Sequence, residues 1–296
     1  MVFDIYKKYF MQQLRIFIDL TRLNKPIGFM LLFWPCSWGL AYAYNIDQDA
    51  NLFIYYLILF FVGSVLMRSA GCIFNDIIDK DFDKKVERTK SRPIASGKIS
   101  IIRSLIYVIF LCTLAFLILI QFNFLTIALG LGSMLLAFSY PFMKRITYWP
   151  QLFLGLTFNW GIIMAWASMQ NNISFEIIIL YISAIFWTLG YDTIYGAQDM
   201  SDDEIIGLKS TAIKFKKNIK LFVFFSYSIS MILLIYLFKD KLNFNFSTAL
   251  LISFFLSLIY QLIKFDFKKP MICLNIFKFN NYSGLLLFLS IMLIEL

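Results

Sequence analysis

The sequence predicts an all-α polytopic membrane protein, a bundle of about nine transmembrane helices forming one integral-membrane domain over 1–296. Three observations lead there. Of the 296 residues, 60% are hydrophobic and the mean hydropathy is +0.74, whereas soluble domains are about 45–50% apolar. The apolar runs are continuous instead of alternating, and nearly all can cross roughly 30 Å of hydrocarbon as a helix, which excludes a transmembrane barrel. The Lys and Arg residues gather in every second loop between those runs.

Residues 1–25 come first. Val2, Phe3, Ile5, Tyr6, Phe10, Leu14, Phe17 and Ile18 interleave with Lys7, Lys8 and Arg15, the pattern of an amphipathic helix lying in the membrane interface. A cleaved leader ending near Ala41-Tyr42-Ala43 is the weaker reading, because the apolar run is too long and more spans follow. Nine spans are then expected at 27–44, 52–73, 102–120, 123–140, 150–168, 174–194, 219–238, 246–263 and 280–294. Pro26 suits the opening turn of the first. The last is short and reads as tilted or partly interfacial. Cations mark the N-terminal segment (Lys7, Lys8, Arg15, Arg22, Lys25) and the loops after the second, fourth, sixth and eighth spans, the last carrying Lys268, Lys269 and Lys278. The loops near 45–51, 121–122 and 169–173 carry none, and that near 239–245 only Lys239 and Lys241. By the positive-inside rule the N-terminus and loops of the first set face the cytoplasm, as in a bacterial inner-membrane protein, and the C-terminus lies opposite.

Several chemistries are excluded. There is no histidine, which removes imidazole acid–base catalysis and His-ligated zinc or haem. Cys36, Cys72, Cys112 and Cys273 are far apart and form no CxxC pair, so they read as small buried hydrophobes. The net charge of +9 resides in loops, which points to the lipid bilayer as partner and not to nucleic acid.

Against this background two acidic clusters stand out. One is Asn75-Asp76-Ile77-Ile78-Asp79-Lys80-Asp81-Phe82-Asp83, directly after the second span. The other runs from Asp192 to Asp203 and ends the sixth. With Glu87 and Glu204 they hold ten of the 18 acidic residues. Asn75, Asp79 and Asp83 recur every four residues, and Asp192, Tyr195 and Asp199 fall at i, i+3 and i+7 with Asp203 continuing, so each set shares a helix face. Such carboxylates suit Mg²⁺, which takes one or two of them and leaves its other positions to water and phosphate. Asp76, Asp79, Asp83, Asp199 and Asp203 are the candidate ligands. Asp192 lies a turn or two deeper, where an ionisable group is a functional candidate, or else the partner of Arg68 at similar depth.

Cations flank both clusters. Lys84, Arg88, Lys90 and Arg92 follow the first, and three cations within five residues can hold the non-bridging oxygens of a diphosphate. Arg22, in Arg22-Leu23-Asn24-Lys25-Pro26-Ile27-Gly28, can reach phosphate or anchor to head groups. Lys144 and Arg145, after Tyr140-Pro141 at the end of the fourth span, can bind an aromatic carboxylate as a fork or serve as a membrane anchor.

These motifs resemble those of the UbiA superfamily of intramembrane prenyltransferases, nearest to the branch acting on 4-hydroxybenzoate in ubiquinone synthesis. The matching residues are Arg22 to Gly28, Arg68, Asn75 to Gly97, Tyr140 to Arg145, Gln151 to Gly161 and Gly190 to Thr211; the Ala often found after the motif Tyr195 is Gly196 here. The resemblance implies a helical bundle with its cavity open to one side of the membrane, Mg²⁺ as cofactor, a polyprenyl diphosphate donor and an aromatic acceptor. The expected chemistry is ionisation of the donor followed by electrophilic substitution ortho to the phenol. Asp79, Asp83, Asp192, Asp199 and Asp203 are the expected catalytic set. Arg22, Arg68, Asn75, Lys84, Arg88, Lys90, Arg92, Lys144, Arg145 and Tyr195 are the expected substrate contacts. Another branch of the superfamily is the nearest alternative. An ion or proton transporter using Asp76, Asp79 and Asp192 as relays fits less well, since the acids cluster at one face and only Arg68 and Asp192 lie deep.

Overall fold

The computed structural model describes residues 2–294, and these are all-helical, with no strand among them. Helices α1 (Val2–Thr21), α2 (Ile27–Asp47), α3 (Ala50–Ile78), α4 (Lys80–Asp83), α5 (Ile101–Leu119), α6 (Phe124–Ile146), α7 (Pro150–Asn159), α8 (Gly161–Gln170), α9 (Phe175–Gly196), α10 (Met200–Ile205), α11 (Thr211–Lys214), α12 (Ile219–Phe238), α13 (Phe246–Lys264) and α14 (Pro270–Met292) follow in chain order. Among the described residues nine stretches are long and apolar enough to cross a membrane, with α7 and α8 together making the fifth. The expected multi-pass architecture therefore holds.

The chain divides into two compact units. The first comprises Met1–Met30 and Val62–Ile118. Its core is Ile16 and Leu20 from α1, Ala70 and Ile73 from α3, Ile94 and Ile99 from the following loop, and Val108 and Leu111 from α5. Ile16 and Leu20 are one helical turn apart, so a single face of α1 is buried; Phe17 adds an edge-on contact to Tyr107 at 5.2 Å. Tyr6, Phe10, Met11 and Leu14 stay exposed beside Lys7 and Lys8. The side chains of Val2, Phe3 and Ile5, on which the interfacial reading also drew, lie outside the described ones.

The second unit comprises Leu31–Phe61 and Leu119–Leu296, with α9 in its most enclosed span, Phe175–Ile205. Small residues admit close packing, as in membrane bundles generally. A Cβ on Gly39 of α2 would run into the carbonyl oxygen of Ile162 on α8, and one on Gly190 of α9 into the ring of Tyr227 on α12. A polar network binds α9, α12, α13 and α14. Tyr227 donates to Gln261 Oε1 at 2.7 Å, Asn280 Nδ2 to the same oxygen at 3.1 Å, and Gln261 Nε2 and Trp187 Nε1 to Asn280 Oδ1 at 3.2 and 3.0 Å. All four residues are fully buried.

That network corrects the ninth span. It begins at Pro270, ten residues before the expected start at 280, and Lys278 belongs to it and not to the preceding loop. Asn280 and Ser283 face inward, where Gln261 satisfies both. The second and fourth spans also run further than expected, so Asn75 and Asp76 lie in the last turn of α3, and Tyr140 to Arg145 in the last turns of α6.

Candidate active site

In the first acidic cluster α3 ends at Ile78 and α4 starts at Lys80, yet the helical spacing survives the break. Asp79 N–H donates to Asn75 O and Asp83 N–H to Asp79 O, each at 2.8 Å. Asn75, Asp79 and Asp83 thus share a face as expected, and Asp76, Asp79 and Asp83 are only 2%, 3% and 7% exposed while Asp81 points to solvent. Carboxylates this buried need partners. Arg22 Nη2 lies 2.6 Å from Asp76 Oδ1, and Arg92 Nη1 bridges Asp76 Oδ1 at 3.1 Å and Asp83 Oδ2 at 2.8 Å. Arg22 follows α1 with φ of 55°, a left-handed conformation unusual for a non-glycine residue. Arg92 is brought back by the intervening loop, where Thr89 Oγ1 donates to Asp83 O at 3.0 Å and Arg92 N–H to Thr89 O at 2.9 Å.

Two of the arginines assigned from sequence to phosphate therefore neutralise carboxylates assigned to the metal. Lys84 and Lys90 stand apart from that group, paired with the exposed Asp81 and Glu87, and Arg88 is exposed. Arg68 lies against Gly28, where a Cβ would sit 2.8 Å from its Nε.

The second cluster is supported differently. Asp192 is buried in the last turns of α9, and the Tyr195 ring packs on Phe277 at 4.3 Å. Beyond Gly196 the helix tightens into a 3₁₀ turn over Ala197–Asp199 and leads into α10. Asp199 and Asp203 are half-buried; Asp202 and Glu204 are exposed. The chain reverses at Gly207, whose φ of +79° suits glycine, and the returning strand of loop is fastened down. Lys209 N–H donates to Lys144 O at 2.8 Å and Lys209 Nζ to Ile146 O at 3.1 Å, at the carbonyl end of α6. Thr211 N–H donates to Gln151 Oε1 at 2.9 Å. The Thr193 and Thr211 hydroxyls meet at 2.7 Å; Thr193 gives its proton to Leu189 O at 2.6 Å, so Thr211 is the donor of the pair. Lys144 and Arg145, both half-buried, are thereby joined to the loop that leaves the second cluster.

Gln151, Thr193, Thr211 and Lys209 were not expected as site residues. Gln151, Thr193 and Thr211 are uncharged and have no spacing that marks them out; their only sequence signal is that they fall inside the matching runs.

The donor set fits Mg²⁺. It consists of carboxylate and amide oxygens, and Asn75 Oδ1 is a buried acceptor to which no group among the described residues donates. Among the described residues no three Asp, Glu or Cys side chains converge on one point.

The model of the UbiA prenyltransferase family matches residues 32–283. A mitochondrial 4-hydroxybenzoate polyprenyltransferase of Bos taurus is 44% identical over 283 residues, covering 95% of this chain and 75% of that protein. The Homo sapiens protein of the same name is 43% identical over 282 residues with the same coverage. Among solved structures, an apo UbiA homologue from Aeropyrum pernix K1 aligns with a TM-score of 0.74 at 20% identity, over 89% of this chain and 96% of that one. A UbiA homologue from Archaeoglobus fulgidus bound to GPP and Mg²⁺ aligns with a TM-score of 0.67 at 17% identity, over 94% and 99%.

Proposed function

The chain belongs to the UbiA prenyltransferase family, and we propose how its residues divide the work of moving a polyprenyl group onto 4-hydroxybenzoate. The activity is that of a metal-dependent 4-hydroxybenzoate polyprenyltransferase serving ubiquinone synthesis; the observation that carries it is the near-full-length likeness to relatives of that name. The allylic C–O bond to diphosphate breaks, a C–C bond forms ortho to the phenolic oxygen, and the displaced ring hydrogen leaves as a proton.

In the first unit Asp79, with Asn75 Oδ1, and in the second Asp199 and Asp203, are proposed as Mg²⁺ ligands. When bound, the ion supplies positive charge to the departing diphosphate. Asp76 and Asp83 belong to the same group, paired with Arg22 and Arg92. Arg22 and Arg92, besides their bonds to Asp76 and Asp83, are proposed to meet diphosphate oxygens, with Lys84, Arg88 and Lys90 adding charge around them. Tyr195 and the apolar walls keep water from the allylic cation. On the acceptor side Arg145, with Lys144 and Arg68 in support, binds the benzoate carboxylate, and Asp192 accepts the phenolic proton so that the electron-rich phenolate attacks.

The test is mass spectrometry of the product from purified protein given 4-hydroxybenzoate and a mixture of prenyl diphosphates, with Mg²⁺ or with a chelator. A 3-polyprenyl-4-hydroxybenzoate in the first arm only is expected; product in the chelated arm would remove the metal from the proposal. The mammalian relatives are mitochondrial by name. For this chain we propose a bacterial-type inner membrane with the N-terminus and both acidic loops in the cytoplasm, supported by the alternation of basic loops. Cysteines introduced at Ser91 and Asn172 should react with impermeant reagents from opposite sides, and reaction from one side sinks that topology.

A further inference from the structure

The turn between α11 and α12 takes no part in the chemistry above. It encloses an open recess of about 400 Å³ lined by Lys214, Phe215, Lys216, Lys217 and Asn218. The recess is one-sided in charge. Among the described residues Glu204 pairs with Lys216 at 2.6 Å, and no carboxylate pairs with Lys214 or Lys217. Its support is aromatic: Phe215 and Phe222 stack at 4.1 Å with 9° between their planes, and Trp149 meets them edge-on at 5.8 and 6.0 Å. The Lys214 ammonium rests 4.5 Å from the centre of the Trp149 ring, which keeps that charge at the rim. Leu221, Phe224 and Phe225 follow at helical spacing on α12, all exposed on a helix that crosses the membrane.

We propose that this recess binds the head-group phosphate of an anionic phospholipid, with its acyl chains along Leu221, Phe224 and Phe225. Two ammonium groups without carboxylate partners are point charges suited to phosphate. Trp and Lys beside each other mark the depth at which head groups lie. The exposed apolar stripe that continues from the recess is what favours a lipid over a free anion, because a soluble phosphate gains nothing from it. A juxtamembrane lysine is worth roughly fivefold in affinity for an anionic surface, so the pair should give a preference on the order of thirtyfold.

Native mass spectrometry of the full chain, purified in detergent with equal phosphatidylglycerol and phosphatidylcholine, tests this. The wild type should retain phosphatidylglycerol preferentially. Lys214→Ala/Lys217→Ala should lose at least tenfold of that preference while unfolding at the same temperature. Lys239→Ala/Lys241→Ala, which removes equal charge beyond the other end of α12, should keep it. Excess inorganic phosphate should leave the retained lipid in place. Equal loss in both double variants, an unchanged preference in Lys214→Ala/Lys217→Ala, or full displacement by inorganic phosphate would each overturn the proposal.

Discussion

The two acidic clusters share a spacing and differ in what holds them. Around Asp76 the support is ionic: one guanidinium spans two carboxylates and a second reinforces the more buried of them. Around Asp199 the loop is fastened by backbone amides, two threonines and a glutamine, Lys209 ends on backbone carbonyls, and Lys216 pairs with the exposed Glu204. The first arrangement keeps its carboxylates under 8% exposed, and the second leaves Asp199 and Asp203 half open. The same acidic pattern can therefore be presented either as a closed charge-balanced unit or as a pinned loop. In the first, one counter-charge, Arg92, is shared between two buried carboxylates.

The comparison is sharpened first by its centres. Asp79→Ala and Asp199→Ala should each lower prenyl transfer on the order of a thousandfold, the loss expected when charge stabilisation of a leaving diphosphate goes. Product formation by either variant near the wild-type rate at saturating Mg²⁺ would make the clusters unequal and remove that residue from the metal set. Next in size is Arg92→Leu. It leaves Asp76 and Asp83 buried with one bridge gone, and breaking a buried pair from one side costs about 3–5 kcal/mol. The lower end applies, since Arg92 is a quarter exposed. Thermal unfolding in detergent should show this loss, and an unchanged transition would mean that the clamp contributes no stability.

Arg145→Leu is expected to raise the KM for 4-hydroxybenzoate about ten- to a hundredfold, from a charge-assisted bond worth roughly 1.5–3 kcal/mol, with little change for the prenyl diphosphate. Lys at this position would not restore the fork. Equal effects on the two substrates would move Arg145 to the phosphate side and make the region around the second cluster resemble the first. The smallest effect belongs to Thr193→Val. It removes one neutral hydroxyl pair, about 0.6–1 kcal/mol in a membrane protein, and should lower the unfolding temperature much less than Arg92→Leu. A loss as large as that of Arg92→Leu would erase the distinction between ionic clamp and neutral tether.

The spans and both acidic faces were legible in the sequence because each leaves a periodic signal, hydropathy in one case and carboxylates at three- and four-residue intervals in the other. What escaped depends on contacts between distant segments. That Arg92 would fold back onto Asp76 and Asp83 follows from the loop held by Thr89, and the same run of cations reads equally well as a phosphate site. Gln151, Thr193 and Thr211 carry no charge and no period. The expected start at 280 differs from Pro270 for a related reason: Lys278 reads as a cation of the preceding loop, and nothing local tells that Gln261 waits for Asn280 and Ser283 beyond it.

That last point bears on how the chain is made. The span Pro270–Met292 has a mean hydropathy of only 1.2, against 1.9 for Phe246–Lys264 before it. A lone helix carrying the Asn280 amide and the Ser283 hydroxyl into hydrocarbon would leave polar groups without partners, each costing several kcal/mol. Gln261 supplies those partners from the helix synthesised immediately before. Paired as a hairpin, α13 and α14 carry those groups in hydrocarbon already satisfied, at a lower cost than α14 would bear alone.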